Sequence, residues 1–462
     1  MFMSLPGFVI PGFAPICGDS NDPLTVKNGV WRRLMRDLPN PDQKVLTDFF
    51  RFVRRWARKN IPAVDPMTFE EWLERSTYNE ERKGQLRATW EELRGGLPSR
   101  SKCAKVKSFV KTEAYQEFKH VRMINSRSDQ FKVLSGPFFS SLENEVYKHP
   151  AFIKHVPVPD RPRALAALQT AGRHIYATDF TAFESHFVSN FMANVECCIY
   201  ERAFRNHPEA SALITSALTG LNFCSTRTGL RYKLLARRMS GDTCTSLGNG
   251  LTNYLLALYI CTKQGKTLSG FVEGDDGLFV TNATLTAKHY EQLGFTIKIE
   301  RHESVQEAGF CQMYFSDDLQ LVKSPFAVIH KFSWTSSCLY ARELIRKQLL
   351  RAKALSGVYE TPHCPILGAL YRAALRYTDG VAPRFVMDGY HQIPRDTRAI
   401  PDFSPTAETR RFFAQKFGVP VHLQLAAESA IHQGDMTKVA EILTPSADMM
   451  KYSQLYLELG GT

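Results

Sequence analysis

The spacing of hydrophobic and polar positions changes character along the chain. Leu46, Phe49, Phe50, Val53 and Trp56 recur at helical spacing, with Arg51, Arg54, Arg55, Arg58 and Lys59 on the other faces as a solvated charged surface. Asn40 suits the N-cap of that helix and Pro41 its first position. From Ser101 to Arg127 the pattern tightens. Val106, Phe109, Val110, Val121 and Ile124 alternate with Lys102, Lys105, Lys107, Lys111, Lys119, Arg122 and Arg127, which fits strands or an extended loop with one cationic side. Between Ala171 and Leu285 strands and helices alternate. Ile175-Tyr176-Ala177 leads into Asp179, Phe187 to Phe204 is predicted helical, and another helix runs from about Thr243 to Thr262. A hairpin follows at Gly274, then a helix ending at Gly294, and short strands at Phe295–Glu300 and Gly309–Phe315. Near the end, Ala341, Ile345, Leu349, Ala352 and Leu355 form one helical face, with Gly357 as its stop. This order predicts an α+β fold, an antiparallel sheet backed by helices.

Composition narrows the class. At 462 residues, with 44% hydrophobic and 23% charged residues, the chain has the make-up of a folded protein with a large core. A formal net charge of +12 and a pI of about 9.2 favour an anionic partner, nucleic acid before a membrane surface. The ten cysteines are scattered, with no CxxC pair. That gives neither zinc-site spacing nor a disulfide framework, and points to a reducing compartment. No apolar run is long enough to span a bilayer. Met1 to Cys17 is apolar but broken by Pro6, Pro11 and Pro15, and it lacks the basic start of a signal peptide. It reads as an extended arm that packs against something.

The chemistry concentrates in the segment Phe271-Val272-Glu273-Gly274-Asp275-Asp276-Gly277-Leu278-Phe279-Val280. Asp is depleted in strands, so two between β-formers cost stability unless their charge is neutralised. A pair of divalent cations would do this; a solvated Asp-Asp-Gly turn is the plain alternative. A two-metal site needs carboxylates from more than one strand, around cations about 3.5–4 Å apart. Asp179 is the best second source, with Glu184 five positions on. Between these blocks lies Ser240-Gly241-Asp242-Thr243-Cys244-Thr245-Ser246-Leu247-Gly248-Asn249. Thr245 and Asn249 share a helix face, extended by Asn253, and a ribose hydroxyl or a neighbouring strand would satisfy that polar stripe.

The ordered set of Asp-x4-acid, Ser-Gly-x3-Thr-x3-Asn and Gly-Asp-Asp resembles motifs A, B and C of the viral RNA-dependent RNA polymerases. The likeness is strongest to positive-strand RNA viruses of the tombusvirus- and nodavirus-like kind. Phe109-Val110-Lys111-Thr112-Glu113 with Lys119, Arg122-Met123-Ile124 and Arg127 resembles motif F. Leu293 to Lys298 resembles motif D, and Gly309-Phe310-Cys311-Gln312 resembles motif E. The resemblance covers about residues 105 to 320. One departure is Glu184, where the family usually has Asp.

The resemblance implies a right-hand polymerase of fingers, palm and thumb. The expected division is an N-terminal helical extension joining fingers and thumb (1–100), fingers (101–170 and 201–235), palm (171–200 and 236–325) and a helical thumb (326–462). It implies template-directed transfer of nucleotides from NTPs to the 3′-OH of a growing RNA on an RNA template. Asp179, Asp275 and Asp276 would hold two Mg²⁺ or Mn²⁺ ions. Ser240 and Gly241 would touch template and nucleotide, their plain alternative being an ordinary helix start. Thr245, Asn249 and Glu184 would read the sugar. Lys111, Lys119, Arg122 and Arg127 would neutralise the triphosphate, unless they are a solvated basic edge. Lys298 would protonate the leaving pyrophosphate or be a surface strand lysine. Cys244 and Cys311 are expected to be packing residues. Other viral replication proteins would supply membrane anchoring, at membrane-bound replication sites in the host cytoplasm. The rival classes are a reverse transcriptase, against which Asn249 and Glu184 argue, and an inactive RNA-binding protein on a palm-like fold.

Overall fold

The computed structural model describes residues 2–384 and 400–458. Met1, residues 385–399 and residues 459–462, which fall within the expected terminal divisions 1–100 and 326–462, lie outside the described residues. The architecture is mixed helix and sheet, and two four-stranded sheets position the site.

The central sheet has the order Leu268–Glu273, Asp276–Thr281, His174–Phe180, Ile297–His302, antiparallel throughout. One side is covered by the helix Thr245–Lys263, which is buried on nearly all faces from Leu247 to Cys261, as a helix inside a core must be. The same core takes in Leu46, Phe49, Phe50, Val53 and Ala57 of the helix Gln43–Asn60, while Arg51, Arg54, Arg55, Arg58 and Lys59 stay exposed. That helix starts later than the sequence suggests. Asp42, not Asn40, is its N-cap, and its carboxylate accepts the amides of Lys44 and Val45 at 2.8 and 3.2 Å. A carboxylate taking two orphan amides is a strong cap.

The second sheet runs Met123–Arg127, Lys105–Val110, Leu221–Thr226, Arg231–Leu235. Its middle pair is parallel, which period-two alternation alone does not disclose. The segment expected as one helix from Phe187 to Phe204 is interrupted. Ser189–Met192 and Cys198–Ala203 are α-helical, and Ala193–Cys197 between them is a π turn.

The C-terminal region is helical, and the N-terminal arm is built into it. Leu5, Phe8, Ile10, Phe13 and Ile16 are buried in the cluster formed by the helices Glu343–Glu360, Leu367–Tyr377, Ala407–Phe417 and Val421–Gln433. Met3–Ser4 pairs with Trp334–Thr335, and Ile16 bridges to Tyr115 next to the second sheet. Gly357 does not end its helix, which continues to Glu360. A Cβ at Gly357 would run into the Tyr371 ring, so this glycine permits close helix packing. No helix among the described residues is long and apolar enough to cross a membrane.

Candidate active site

The hairpin between Leu268–Glu273 and Asp276–Thr281 closes through a two-residue turn, Gly274-Asp275. Gly274 sits at φ +61°, a conformation that glycine adopts without strain. Asp275 is at the exposed tip, and Asp276 begins the returning strand opposite Glu273. On the neighbouring strand, Thr178 pairs with Gly277, so the next residue, Asp179, comes level with Asp276. Register alone thus gathers the three aspartates at one end of the sheet.

Their electrostatics follow from that placement. Burial, and then the charge of Asp275, raises the Asp179 pKa above the usual carboxylate range, with Lys298, Lys119 and Arg33 pulling it back. Burial and Asp275 push Asp276 up to about 6. Among the described residues, the Asp179 and Asp275 carboxylates accept no hydrogen bond, so no internal donor satisfies them. Cations surround them at longer range instead. Arg122 is held by Glu113 through two hydrogen bonds, one of 2.7 Å, and it feels the charge of Asp275. Lys111 meets Glu113 at 2.7 Å. Burial alone would raise the Glu113 pKa, but Arg122 and Lys111 hold it at about 2. Lys119 is exposed near Asp179. Lys298 is the strand partner of Asp179 and is engaged by Glu300 at 2.6 Å.

Arg127 is placed elsewhere. Its side chain is fully buried, ion-paired with Asp242 at 3.0 Å and bonded to Asn222 at 2.5 Å. It ties the second sheet to the loop before the helix Thr245–Lys263, so its guanidinium is taken up inside the fold and is neither a solvated basic edge nor free for a triphosphate. Strand alternation is the reason: Met123, Asn125 and Arg127 point inward, Arg122 and Ile124 less so.

Ser240 and Gly241 dock on that same sheet. The Ser240 hydroxyl donates to Met123 O at 3.0 Å and accepts from Asn125 N at 3.1 Å. Gly241 N donates to Asn125 O at 2.9 Å, and a Cβ on Gly241 would sit 3.0 Å from Ser126 Cα. The glycine is needed for this close backbone approach. The Thr245 hydroxyl donates to the carbonyls of Asp242 and Met239 at 2.8 and 3.0 Å, so it braces the helix start. Asn249 accepts from Arg238 at 2.9 Å. Glu184 does not meet Asn249. Arg33 holds its carboxylate at 2.9 and 3.4 Å, from the helix Pro23–Leu34. Cys311 lies by Glu273, with Sγ 3.7 Å from Oε2, and its nearness lowers the Asp276 pKa slightly against the larger effects.

Several residues here were not singled out by the sequence. Arg33, Arg161, Glu196 and Arg238 carry no motif spacing that would reveal them. Arg161 meets Glu273 at 2.7 Å and offsets the acid facing Asp276. Asn253, visible only as part of a polar stripe, donates to Asp275 O at 3.0 Å. A cleft of about 780 Å³ is lined by Trp31, Arg32, Arg33, Arg36, Asp37, Phe118 and Lys119, and by Thr181, which follows Asp179 closely in the chain. Aromatic faces among cations suit a nucleotide or a nucleic-acid strand.

The donor set is oxygen only, which suits a hard divalent cation. Among the described residues, no group of three or more His, Cys, Asp or Glu is gathered closely enough to hold a metal ion by itself.

The profile of the family described as viral RNA dependent RNA polymerase matches residues 25–439. The chain belongs to this family. Among curated viral polymerases it is similar to the RNA-directed RNA polymerase of Pothos latent virus (isolate Pigeonpea/India), 27% identical over 330 residues, covering 65% of this chain and 44% of the relative. The RNA-directed RNA polymerase of Striped jack nervous necrosis virus is 29% identical over 206 residues, 42% of this chain and 21% of that protein. That of Melon necrotic spot virus is 23% identical over 367 residues, 72% of this chain and 46% of the relative. The chain therefore spans less than half the length of these polymerases.

Proposed function

We propose that this chain is an RNA-directed RNA polymerase that extends the 3′-OH of a growing RNA with NTPs on an RNA template. The observation that carries the reading is the gathering of Asp179, Asp275 and Asp276 at one end of the central sheet, with Asp275 raising the proton affinity of both others. In this reading the chain divides into fingers, palm and thumb at the boundaries expected from its sequence, with the central sheet as palm.

Asp179 and Asp275, assisted by Asp276, would hold the divalent cations, Mg²⁺ or Mn²⁺ and two in number. Bound there, such ions supply charge neutralisation for an in-line displacement at the α-phosphate. Arg122, Lys111 and Lys119 meet the triphosphate, and Glu113 keeps the Arg122 fork aimed. Lys298, beside Asp179, gives a proton to the departing pyrophosphate. Asn249, with Thr245 bracing its helix, reads the ribose. Ser240 and Gly241 set the loop against which template and nucleotide lie. The rate gain comes from positioning and preorganised charge. Work in the host cytoplasm at membrane sites supplied by other viral proteins belongs to the same proposal.

The test is incorporation of labelled NTP by the purified chain on a short primed RNA, with and without divalent metal, and with dNTPs in parallel. Metal-dependent NTP incorporation that Asp275→Ala abolishes supports the reading. Preference for dNTPs would make the chain a reverse transcriptase, and incorporation untouched by Asp275→Ala would put the site elsewhere.

A further inference from the structure

A buried charged network stands behind the helix Thr245–Lys263, and it ends at Asn249. Arg238 and Glu196 form an ion pair whose side chains are 1% and 0% exposed. Glu196 also accepts from the Tyr200 hydroxyl at 3.0 Å and the Thr252 hydroxyl at 3.4 Å. The Arg238 guanidinium lies over the Phe187 ring, 4.2 Å from its centroid. Gly248 leaves the space: a Cβ there would stand 2.5 Å from Glu196 Oε2 and 2.6 Å from Arg238 Nη2. These contacts fix the planar fork. Nη2 is taken by Glu196, and Nε donates to Asn249 Oδ1 at 2.9 Å.

An amide has one accepting end and one donating end. Arg238 has only donors, so it selects the oxygen of Asn249. Turning the amide over would set two donors against each other. The Nδ2 end is therefore directed away from Arg238, on a half-buried residue, and it makes no hydrogen bond among the described residues. Arg238 also donates its backbone N–H to Glu184 O at 3.2 Å, so one residue joins the turn after Asp179 to the sugar-reading helix.

We infer that Arg238, held by Glu196, is a positioning residue for ribose selection: it commits Asn249 to present an N–H donor to the nucleotide, so that the group read must be an acceptor, the 2′-hydroxyl oxygen. The inference rests on the polymerase reading and adds to it where the choice of sugar is made. A deoxynucleotide leaves that donor unpaired, which is the kind of mismatch that discriminates strongly.

The measurement is the ratio of kcat/KM for an NTP to that for the matching dNTP, on a primed RNA template with the full chain. Taking both substrates on one preparation cancels any loss of folded protein. Asn249→Ala should lower the ratio roughly tenfold or more. The double variant Glu196→Gln/Arg238→Met removes both buried charges together, and should lower it to a similar value. Adding Asn249→Ala to the double variant should change little more, because the residues act as one unit. Arg238→Lys keeps a charge for Glu196 but lacks the fork; it serves as the second variant if the double one does not fold, and should also lower the ratio. A folded Arg238 variant with the wild-type ratio, or Asn249→Ala without effect, overturns the inference while leaving NTP incorporation by the wild type standing. Absence of wild-type incorporation defeats the polymerase reading itself, and this inference with it.

Discussion

The side-chain amide of Asn253 donates to the main-chain carbonyl of Asp275 at 3.0 Å, so the acidic turn hangs from the buried helix Thr245–Lys263. The two-residue turn has few other ties. Asn253 is wholly buried, and its Oδ1 finds no partner among the described residues. The residue therefore gives up part of its own satisfaction to hold the tip. Asn253→Ala loses a bond worth about 1 kcal/mol net, and the removal of an unpartnered oxygen offsets much of that. Stability should change little, while nucleotide incorporation falls about ten- to a hundredfold through misplacement of Asp275. Thermal unfolding and kcat measured side by side check this. Equal losses in both would reduce Asn253 to a packing role.

The unneutralised aspartates should cost the fold stability. Asp275→Asn removes the repulsion that raises Asp179 and Asp276, so its melting temperature should equal or exceed that of the wild type while activity is lost. Millimolar Mg²⁺ or Mn²⁺ should raise the wild-type melting temperature, since an ion that binds only the folded state stabilises it by mass action. A chelator should reverse the shift, and Asp275→Asn should show a much smaller one. Calorimetry in the two conditions reads this without any substrate. A metal-induced shift of the same size in the variant would place the ion elsewhere.

How far these features could be read from the sequence depends on whether a residue's partner was near in the chain. Asp275 and Asp276 declared themselves because acids between β-formers break a local rule. Asp179 followed from its place beside a short strand. The strands of the central sheet were legible as short runs of β-formers, but their pairings were not, since His174–Phe180 meets Asp276–Thr281 and Ile297–His302 across roughly a hundred residues. The parallel pairing of Lys105–Val110 with Leu221–Thr226 was not legible either, because that contact spans more than a hundred residues. Arg127 was expected, from the resemblance to motif F, to meet the triphosphate, but strand alternation turns it inward to Asp242. Arg238 and Glu196 sit in stretches with no distinctive spacing, and only the packed core brings them together. Gly357 looked like a helix stop because glycine often is one, while the Tyr371 ring that requires it comes from another helix.

Gly248 should be intolerant of even one methyl group. A Cβ would lie 2.5 Å from Glu196 Oε2, 2.6 Å from Arg238 Nη2 and 2.8 Å from the Tyr200 hydroxyl, all on buried groups with no room to retreat. Alanine normally favours a helix over glycine by about 1 kcal/mol. Here overpacking of about 1–3 kcal/mol and a displaced buried ion pair outweigh that gain. Gly248→Ala should lower the urea midpoint at unchanged slope. Gly84, in the helix Glu80–Leu93 with nothing within 4 Å of its Cβ position, should respond to the same change with no loss. A stable Gly248→Ala would mean that the network yields easily.

Acid should weaken the fold through His186. This histidine is buried, its ring stacks on Phe295 at 5.0 Å, and Nε2 accepts from Thr296 N at 3.0 Å. Nδ1 lies 3.3 Å from Phe183 O, to which the neutral ring donates. The contact fastens the turn after Asp179 to the approach of the strand that carries Lys298. Burial, against the pull of the Phe183 carbonyl, lowers the pKa to about 4. An unfolded histidine titrates near 6.5. Above 6.5 the ring is neutral in both states and its full contribution is present. As the pH falls below 6.5 the unfolded chain takes up the proton first, and stability drains away until the pH passes 4. The loss amounts to about 2 kcal/mol by pH 5 and about 3 kcal/mol in full. Carboxylates titrate in part of the same window, so the decisive quantity is a difference between proteins. His186→Gln keeps one donor and one acceptor but cannot charge. Urea unfolding at pH 7 and pH 5 should show the wild type losing about 2 kcal/mol more than His186→Gln across that interval. Parallel losses in the two proteins would mean that His186 is not the group that titrates.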